Sequence, residues 1–245
     1  MSFIYENIKK SILKNEKLLA VLIDPDKMKL AQVFSFITQV NQSIITHIFV
    51  GGSTVDTEVT QILVAEIKQY TTLPIILFPG DVTQITNTAD GILFLSLISG
   101  RNPEYLIGKQ IEAVPLLNKT NLEIISTGYI LIESGKQTAV ERVTETKPLL
   151  RHIKEIVNTA KAGEFLGMKL IYLEAGSGAK RPLTEHIISS VKNELNIPLI
   201  VGGGIKTIKQ LEEAYSAGAD LVVIGTAFEE DESFFNDLKK KKNNA

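Results

Sequence analysis

No cysteine occurs anywhere in the chain, so neither a disulfide framework nor a thiolate metal site is open to it. Histidine is nearly as scarce. His47, His152 and His186 fall on a predicted strand or on helices, away from strand ends, and form no zinc-like cluster. An excess of charge of one sign is also lacking: 26 Lys and Arg against 28 Asp and Glu leave a net charge of -2, which removes nucleic acid as a default partner. No apolar run approaches the ~18 residues needed to span a bilayer. The N-terminus, MSFIYENIKKSIL, mixes charge with apolar residues and lacks a signal peptide's apolar core. A soluble, cytoplasmic protein is expected. What remains is an ordinary globular balance, 44% hydrophobic and 22% charged, in 245 residues, close to the usual size of a one-domain α/β barrel.

Glycine is where the sequence becomes informative. Met168–Leu173 (MKLIYL) has the length and β-branching of a buried strand, and it stops at Glu174 before Ala175, Gly176, Ser177, Gly178 and Ala179. Pro198–Val201 ends in Gly202–Gly203–Gly204, and Leu221–Ile224 ends in Gly225–Thr226. Consecutive predicted strands therefore finish in glycine-bearing loops, where backbone N–H groups can approach a ligand. These loops are read as a phosphate cradle with Glu174 beside it, helped by the dipole of a following helix. The plainer alternative is that the glycines serve tight turns only.

The rest of the chain alternates in the same way. A leading helix carries Ile4, Ile8, Ile12 and Leu13. Leu18–Ile23 is a strand ending at Asp24–Pro25, and Ile45–Val50 is a second ending at Gly51–Gly52–Ser53. Pro74–Phe78, Gly91–Ile98 and Leu122–Ile132 follow as strands three to five, the last with a break or bend expected at Gly128. Asp81 and Gln84 resemble the capping pair of a short helix, and Thr207 with Gln210 a capping box. A helix within Pro103–Ala113 should end before Pro115. Ser134–Lys147 is polar and without periodicity, hence a long loop. Leu149, Leu150, Ile153, Ile156, Val157 and Ala160 mark the next helix. Eight strands alternating with helical segments predict a single-domain (β/α)8 TIM barrel over residues 1–245, with a leading helix over 3–14 and a flexible basic tail over 239–245. In this fold the strand ends are neighbours, and closure of strand eight onto strand one brings Asp24 round to the phosphate loops.

Several side chains at that end are candidates for chemistry. Glu174 ends a buried strand in an uncharged neighbourhood, where burial would raise its pKa and suit it to accept a proton. Alternatively it pairs with Lys180 or Arg181. Tyr172 points to the same side by strand alternation, as a ligand contact or as core. Asp24 and Ser53 offer a carboxylate and a hydroxyl on adjacent strands, a hard-oxygen set suited to Mg²⁺, or else a turn residue and a helix cap.

The motifs LIDPDK (22–27), VGGS (50–53), LFPG (77–80), SLISGRNPEYLIG (96–108), YLEAGSGA (172–179), VGGGI (201–205) and GTAFE (225–229) together resemble the geranylgeranylglyceryl phosphate synthase family, in the larger of its two subgroups. The resemblance implies a prenyltransferase that joins sn-glycerol 1-phosphate to an allylic prenyl diphosphate, the first ether bond of ether-lipid synthesis. It implies that glycerol 1-phosphate binds at Tyr172, Leu173, Glu174, Ala175, Gly176, Ser177, Gly178, Gly203, Gly204, Gly225 and Thr226, with Glu174 and Tyr172 catalytic. It further implies Mg²⁺ at Asp24 and Ser53, and a homo-oligomer rather than a monomer. A 20-carbon tail would need a long apolar groove, for which the stretches from strand three to strand five are candidates. Two other classes stay open at this point: another phosphosugar barrel isomerase or aldolase, and a non-catalytic phosphate-ligand or lipid-binding protein.

Overall fold

The apolar runs become the staves of one closed parallel barrel in the computed structural model, which describes residues 4–53, 55, 58–177, 179, 181–230 and 233–243. The strands are β1 (Leu18–Ile23), β2 (His47–Val50), β3 (Ile75–Leu77), β4 (Gly91–Leu97), β5 (Glu123–Leu131), β6 (Leu170–Glu174), β7 (Leu199–Gly202) and β8 (Leu221–Ile224). Each pairs with the next, and β8 returns to β1 in a register running from Leu18–Leu221 to Val21–Ile224. Because side chains alternate along a strand, each stave feeds two layers. Ala20, Phe49, Ile76, Leu93, Tyr172 and Ile200 fill the barrel. Leu19, Ile48, Ile75, Ile92, Ile171 and Val201 face the helices.

The helices are α1 (Ile4–Leu13), α2 (Leu30–Asn41), α3 (Val59–Lys68), α4 (Lys109–Leu117), α5 (Ala139–Thr144), α6 (Ile153–Phe165), α7 (Glu185–Glu194), α8 (Ile208–Ser216), α9 (Thr226–Glu230) and α10 (Ser233–Asn243). Most wrap the outside. α1 does not: its buried Ile4 and Ile8 join the inner layer and close the amino-terminal end of the barrel. Glu123, the first residue of β5, accepts the backbone N–H groups of Ile4 and Tyr5 and so satisfies donors that a helix start leaves free.

Several sequence-based expectations are corrected. Ser134–Lys147 is not all loop, since α5 forms within it, started by a capping box between Thr138 and Glu141. β5 runs unbroken through Gly128, which pairs with both Ser96 and Ile171. Pro115 lies inside α4 rather than beyond the helix, which a π-helical turn at Glu104–Gly108 precedes. The missing Pro115 N–H falls in the last turn, and the Asn118 N–H still reaches the Val114 carbonyl at 3.0 Å, so the turn completes. α6 starts at Ile153, because Leu149 is drawn into a parallel bridge with Ile132. Between β3 and β4 only a 3-10 turn, Val82–Gln84, forms among the described residues; Asp81 caps it through the Thr83 N–H, while the Gln84 side chain turns elsewhere. The Thr207 side chain accepts the Gln210 N–H as expected, but Gln210 returns its bond to the Lys206 N–H. The last helix, α10, spans Ser233–Asn243. Among the described residues no helix is long and apolar enough to cross a membrane.

His47 opens β2 in a buried position, with Nδ1 2.8 Å from Thr46 Oγ1, and burial lowers its pKa to about 4. A neutral histidine in the folded state and an ordinary one in the unfolded chain favour unfolding as pH falls. Its contribution is intact above about pH 6.5 and is lost progressively towards pH 4. Between those two values the loss amounts to about 3 kcal/mol. Denaturant titrations at pH 7 and pH 4 should show His47→Gln losing less stability than the parent over that interval; equal losses would remove His47 from the acid response.

Candidate functional site at the carboxyl-terminal mouth

The strand ends surround a cleft of about 360 Å³ that takes in Asp24, Ser53, Tyr172, Glu174, Ser177, Gly203, Gly204, Gly225 and Thr226. Nine of the positions singled out in the sequence are thus brought together. Leu173 and Ala175 are not among them. Both are fully buried against the helix-facing layer, so any contact they make with a ligand is through the backbone. Gly176 forms the turn behind Glu174 rather than lining the cleft, and Gly178 lies outside the described residues.

Glu174 sits at the end of β6 with 6% of its surface exposed. Its Oε1 accepts the Gly176 N–H, and not a charge from the loop: Arg181 instead pairs with Glu133 at 3.1 Å, and Lys180 lies outside the described residues. Burial raises the Glu174 pKa to about 7, opposed by the Gly176 N–H and by Tyr172. The glycine of β7's loop is what makes room for it. Gly203 has φ +86°, and a Cβ there would land on Glu174 Oε1, with the Gly176 and Ala175 nitrogens at 2.7 and 2.9 Å.

Beneath the carboxylate is an aromatic floor. The Phe78 and Tyr172 rings stack at 5.2 Å, and Tyr129 lies 5.3 Å from Tyr172 and 5.8 Å from Phe78. The Tyr172 hydroxyl is buried beside Glu174, near enough to favour its anion but off hydrogen-bond geometry, and it has no partner among the described residues. Burial, then the Glu174 charge, pushes both Tyr172 and Tyr129 well above the usual phenol range, so both are neutral donors. An orphaned donor next to a carboxylate of near-neutral pKa is suited to a ligand hydroxyl.

On one side of Glu174 the loops of β6 and β8 meet, with Ser177 Oγ 3.2 Å from Thr226 Oγ1. On another, Asp24 accepts the Asp26 N–H at 3.2 Å and pairs with Lys27 at 3.5 Å. Towards β3–β5 the wall turns apolar, with Ile85, Ile92, Phe94, Tyr105, Ala113 and Val140. α5 completes this wall, tied at its end by the Asn102 side chain to the Thr144 carbonyl and by the Tyr105 hydroxyl to the Val143 carbonyl. Lys109, at the edge of the cleft, is held between Glu112 at 2.9 Å and Asp81 at 3.0 Å, which raise its pKa and keep it charged. A Schiff-base lysine needs the opposite shift.

Fold and mouth define a class: a (β/α)8 barrel with glycine loops after β6, β7 and β8 around a buried carboxylate, the end at which barrels of this kind hold phosphorylated ligands. The chain belongs to the PcrB family, whose model matches residues 10–242. It is 59% identical over 219 residues to the geranylgeranylglyceryl phosphate synthase of Zunongwangia profunda, covering 89% of this chain and 93% of that one. It is 54% identical over 237 residues to the protein of the same name from Flavobacterium johnsoniae, covering 96% and 98%. The crystal structure of (S)-3-O-geranylgeranylglyceryl phosphate synthase from Thermoplasma acidophilum, in complex with its substrate sn-glycerol-1-phosphate, superposes with a TM-score of 0.91 at 32% identity, over 98% of this chain and 96% of that one.

Proposed function

We propose that this protein is a prenyltransferase that joins sn-glycerol 1-phosphate to geranylgeranyl diphosphate, giving 3-O-geranylgeranylglyceryl phosphate and diphosphate. The names of the relatives support the reaction, and the position of Glu174, between the glycine loops and the apolar wall, carries the reading of the site. The phosphate sits among Ser177, Gly203, Gly204, Gly225 and Thr226, which fixes the glycerol with its 3-hydroxyl between Tyr172 and Glu174. The prenyl chain lies along the wall of β3–β5 and α5. The hydroxyl oxygen forms the new bond to C1 of the prenyl group, the bond from C1 to diphosphate breaks with its electron pair leaving on diphosphate, and the hydroxyl proton passes to Glu174. Holding both reactants in one cleft contributes several kcal/mol to lowering the barrier.

The leaving diphosphate is assigned to the end of the cleft at Asp24 and Ser53. One carboxylate and one hydroxyl make no protein cage, and no group of three or more potential metal-ligating side chains occurs among the described residues. Such a sparse hard-oxygen set does fit Mg²⁺, which takes its remaining ligands from water and phosphate. When bound, Mg²⁺ would neutralise charge on the departing diphosphate. Incubation with glycerol 1-phosphate, geranylgeranyl diphosphate and Mg²⁺ should release diphosphate only when both substrates are present; no release would end the proposal. Asp24→Asn should lower turnover and raise the Mg²⁺ concentration needed, while calorimetric affinity for glycerol 1-phosphate stays within a few-fold. An unchanged Mg²⁺ requirement would remove Asp24 from the cation site.

A further inference from the structure

We infer that Gln84 is a positioning residue for the end of the cleft formed by Asp24 and Ser53, acting through the backbone of Gly52. Gln84 closes the 3-10 turn after β3 and is only 1% exposed. Its amide makes two bonds to one residue 32 positions away. Nε2 donates to the Gly52 carbonyl at 2.8 Å, and Oε1 accepts the Gly52 N–H at 3.2 Å. β2 has already ended at Val50, so Gly52 lies beyond the strand ladder, and the Gln84 amide supplies both bonds that a neighbouring strand would have made.

What this clamp holds is the surface on which Asp24 rests. A Cβ at Gly52 would come within 2.9 Å of Asp24 Oδ1, so the carboxylate lies against this glycine, and Ser53 follows it directly. The other side of the loop is fixed as well, since a Cβ at Gly80 would fall within 2.9 Å of Ser53 Cα. Asp81 in turn sets the angle from which Gln84 reaches. Its carboxylate caps the turn at 3.1 Å, and its carbonyl accepts the Gln84 N–H at 3.2 Å. The amide side chain suits this place, because the two backbone groups of Gly52 need one donor and one acceptor together. A carboxylate would supply half of that, a thioether neither.

This inference rests on the assignment of the diphosphate to that end of the cleft, and the experiment separates the two. Inorganic diphosphate with Mg²⁺, and separately glycerol 1-phosphate, are titrated calorimetrically into the parent, Gln84→Met, Gln84→Glu and Asp24→Asn, with thermal midpoints recorded for each. Gln84→Met keeps the volume, adds no charge and removes both bonds. It should bind Mg²⁺–diphosphate about tenfold more weakly, with glycerol 1-phosphate affinity within twofold of the parent. Gln84→Glu keeps the bond from the Gly52 N–H and carries the test if Gln84→Met does not fold, with glycerol 1-phosphate as the control for its added charge. Equal losses of both ligands would make Gln84 general support for the fold and overturn the inference, as would parent-like diphosphate binding in either variant. Weakened binding in Asp24→Asn beside parent-like Gln84 variants overturns the clamp alone. Unchanged diphosphate binding in Asp24→Asn overturns the assignment beneath it, and the inference with it.

Discussion

Glu174→Gln is expected to lose turnover by ~10²–10⁴-fold while holding glycerol 1-phosphate almost as well as the parent. Glutamine retains an oxygen for the Gly176 N–H and fills the same space, but it cannot take the hydroxyl proton. The parent's kcat/KM should rise with pH and level off above about 7, where burial has placed the Glu174 ionisation; the variant's residual rate should lack that step. Stability should move the other way. A carboxylate whose pKa is raised on folding stabilises fully below its unfolded value of 4.5, and that advantage is lost as pH rises through about 7. The parent therefore carries a penalty on the order of 3 kcal/mol at pH 8 that glutamine does not. The variant should melt above the parent at pH 8 and beside it near pH 4.5. A variant within a few-fold of the parent rate would end the assignment of Glu174 as base.

Gly203→Ala should fail differently, losing affinity and turnover together. At φ +86° an alanine is strained by ~1–2 kcal/mol, and its Cβ would displace the Glu174 carboxylate and press on the amides of Ala175 and Gly176. A misplacement of that size costs about 10²-fold in rate or more. Gly167 is the control: it has φ +87° but nothing within 4 Å of its Cβ position, so Gly167→Ala adds the strain without the collision. Gly167→Ala should melt lower and keep its glycerol 1-phosphate affinity. Steady-state kinetics and calorimetry on the two variants separate strain from occlusion; parent-like affinity in Gly203→Ala would mean that the carboxylate does not need its present position.

The staves were legible because their signal is local. Leu18–Ile23 and Leu221–Ile224 have the same bounds in sequence and structure, since an apolar β-branched run stops where Pro25 or Gly225 follows shortly after. Alternation also put Tyr172 and Glu174 on one side correctly, and barrel closure then explained why Asp24 shares their cleft. Leu173 and Ala175 came with the motif through the family resemblance, and alternation turns their side chains to the helix-facing layer. α5 escaped because six residues are too few to show a period, although the Thr138–Glu141 capping pair was there to be read. The role of Gln84 was out of reach altogether. Its partner is 32 residues away and is a backbone, which leaves no pattern in side-chain identity.

The helix that closes the base of the barrel sets a timetable for synthesis. The Ile4 amide is satisfied by Glu123, 119 residues further along the chain. At elongation rates of about 5–20 residues per second, Ile4 is joined to the chain roughly 6–24 s before the residue that anchors it. During that wait Ile4 and Ile8 have no barrel floor to enter, because β8 must still arrive to complete the ring with β1. α1 therefore docks late although it is made before every strand it packs against, and the apolar edge formed by Ile4 and Ile8 stays unsheltered until the ring can close.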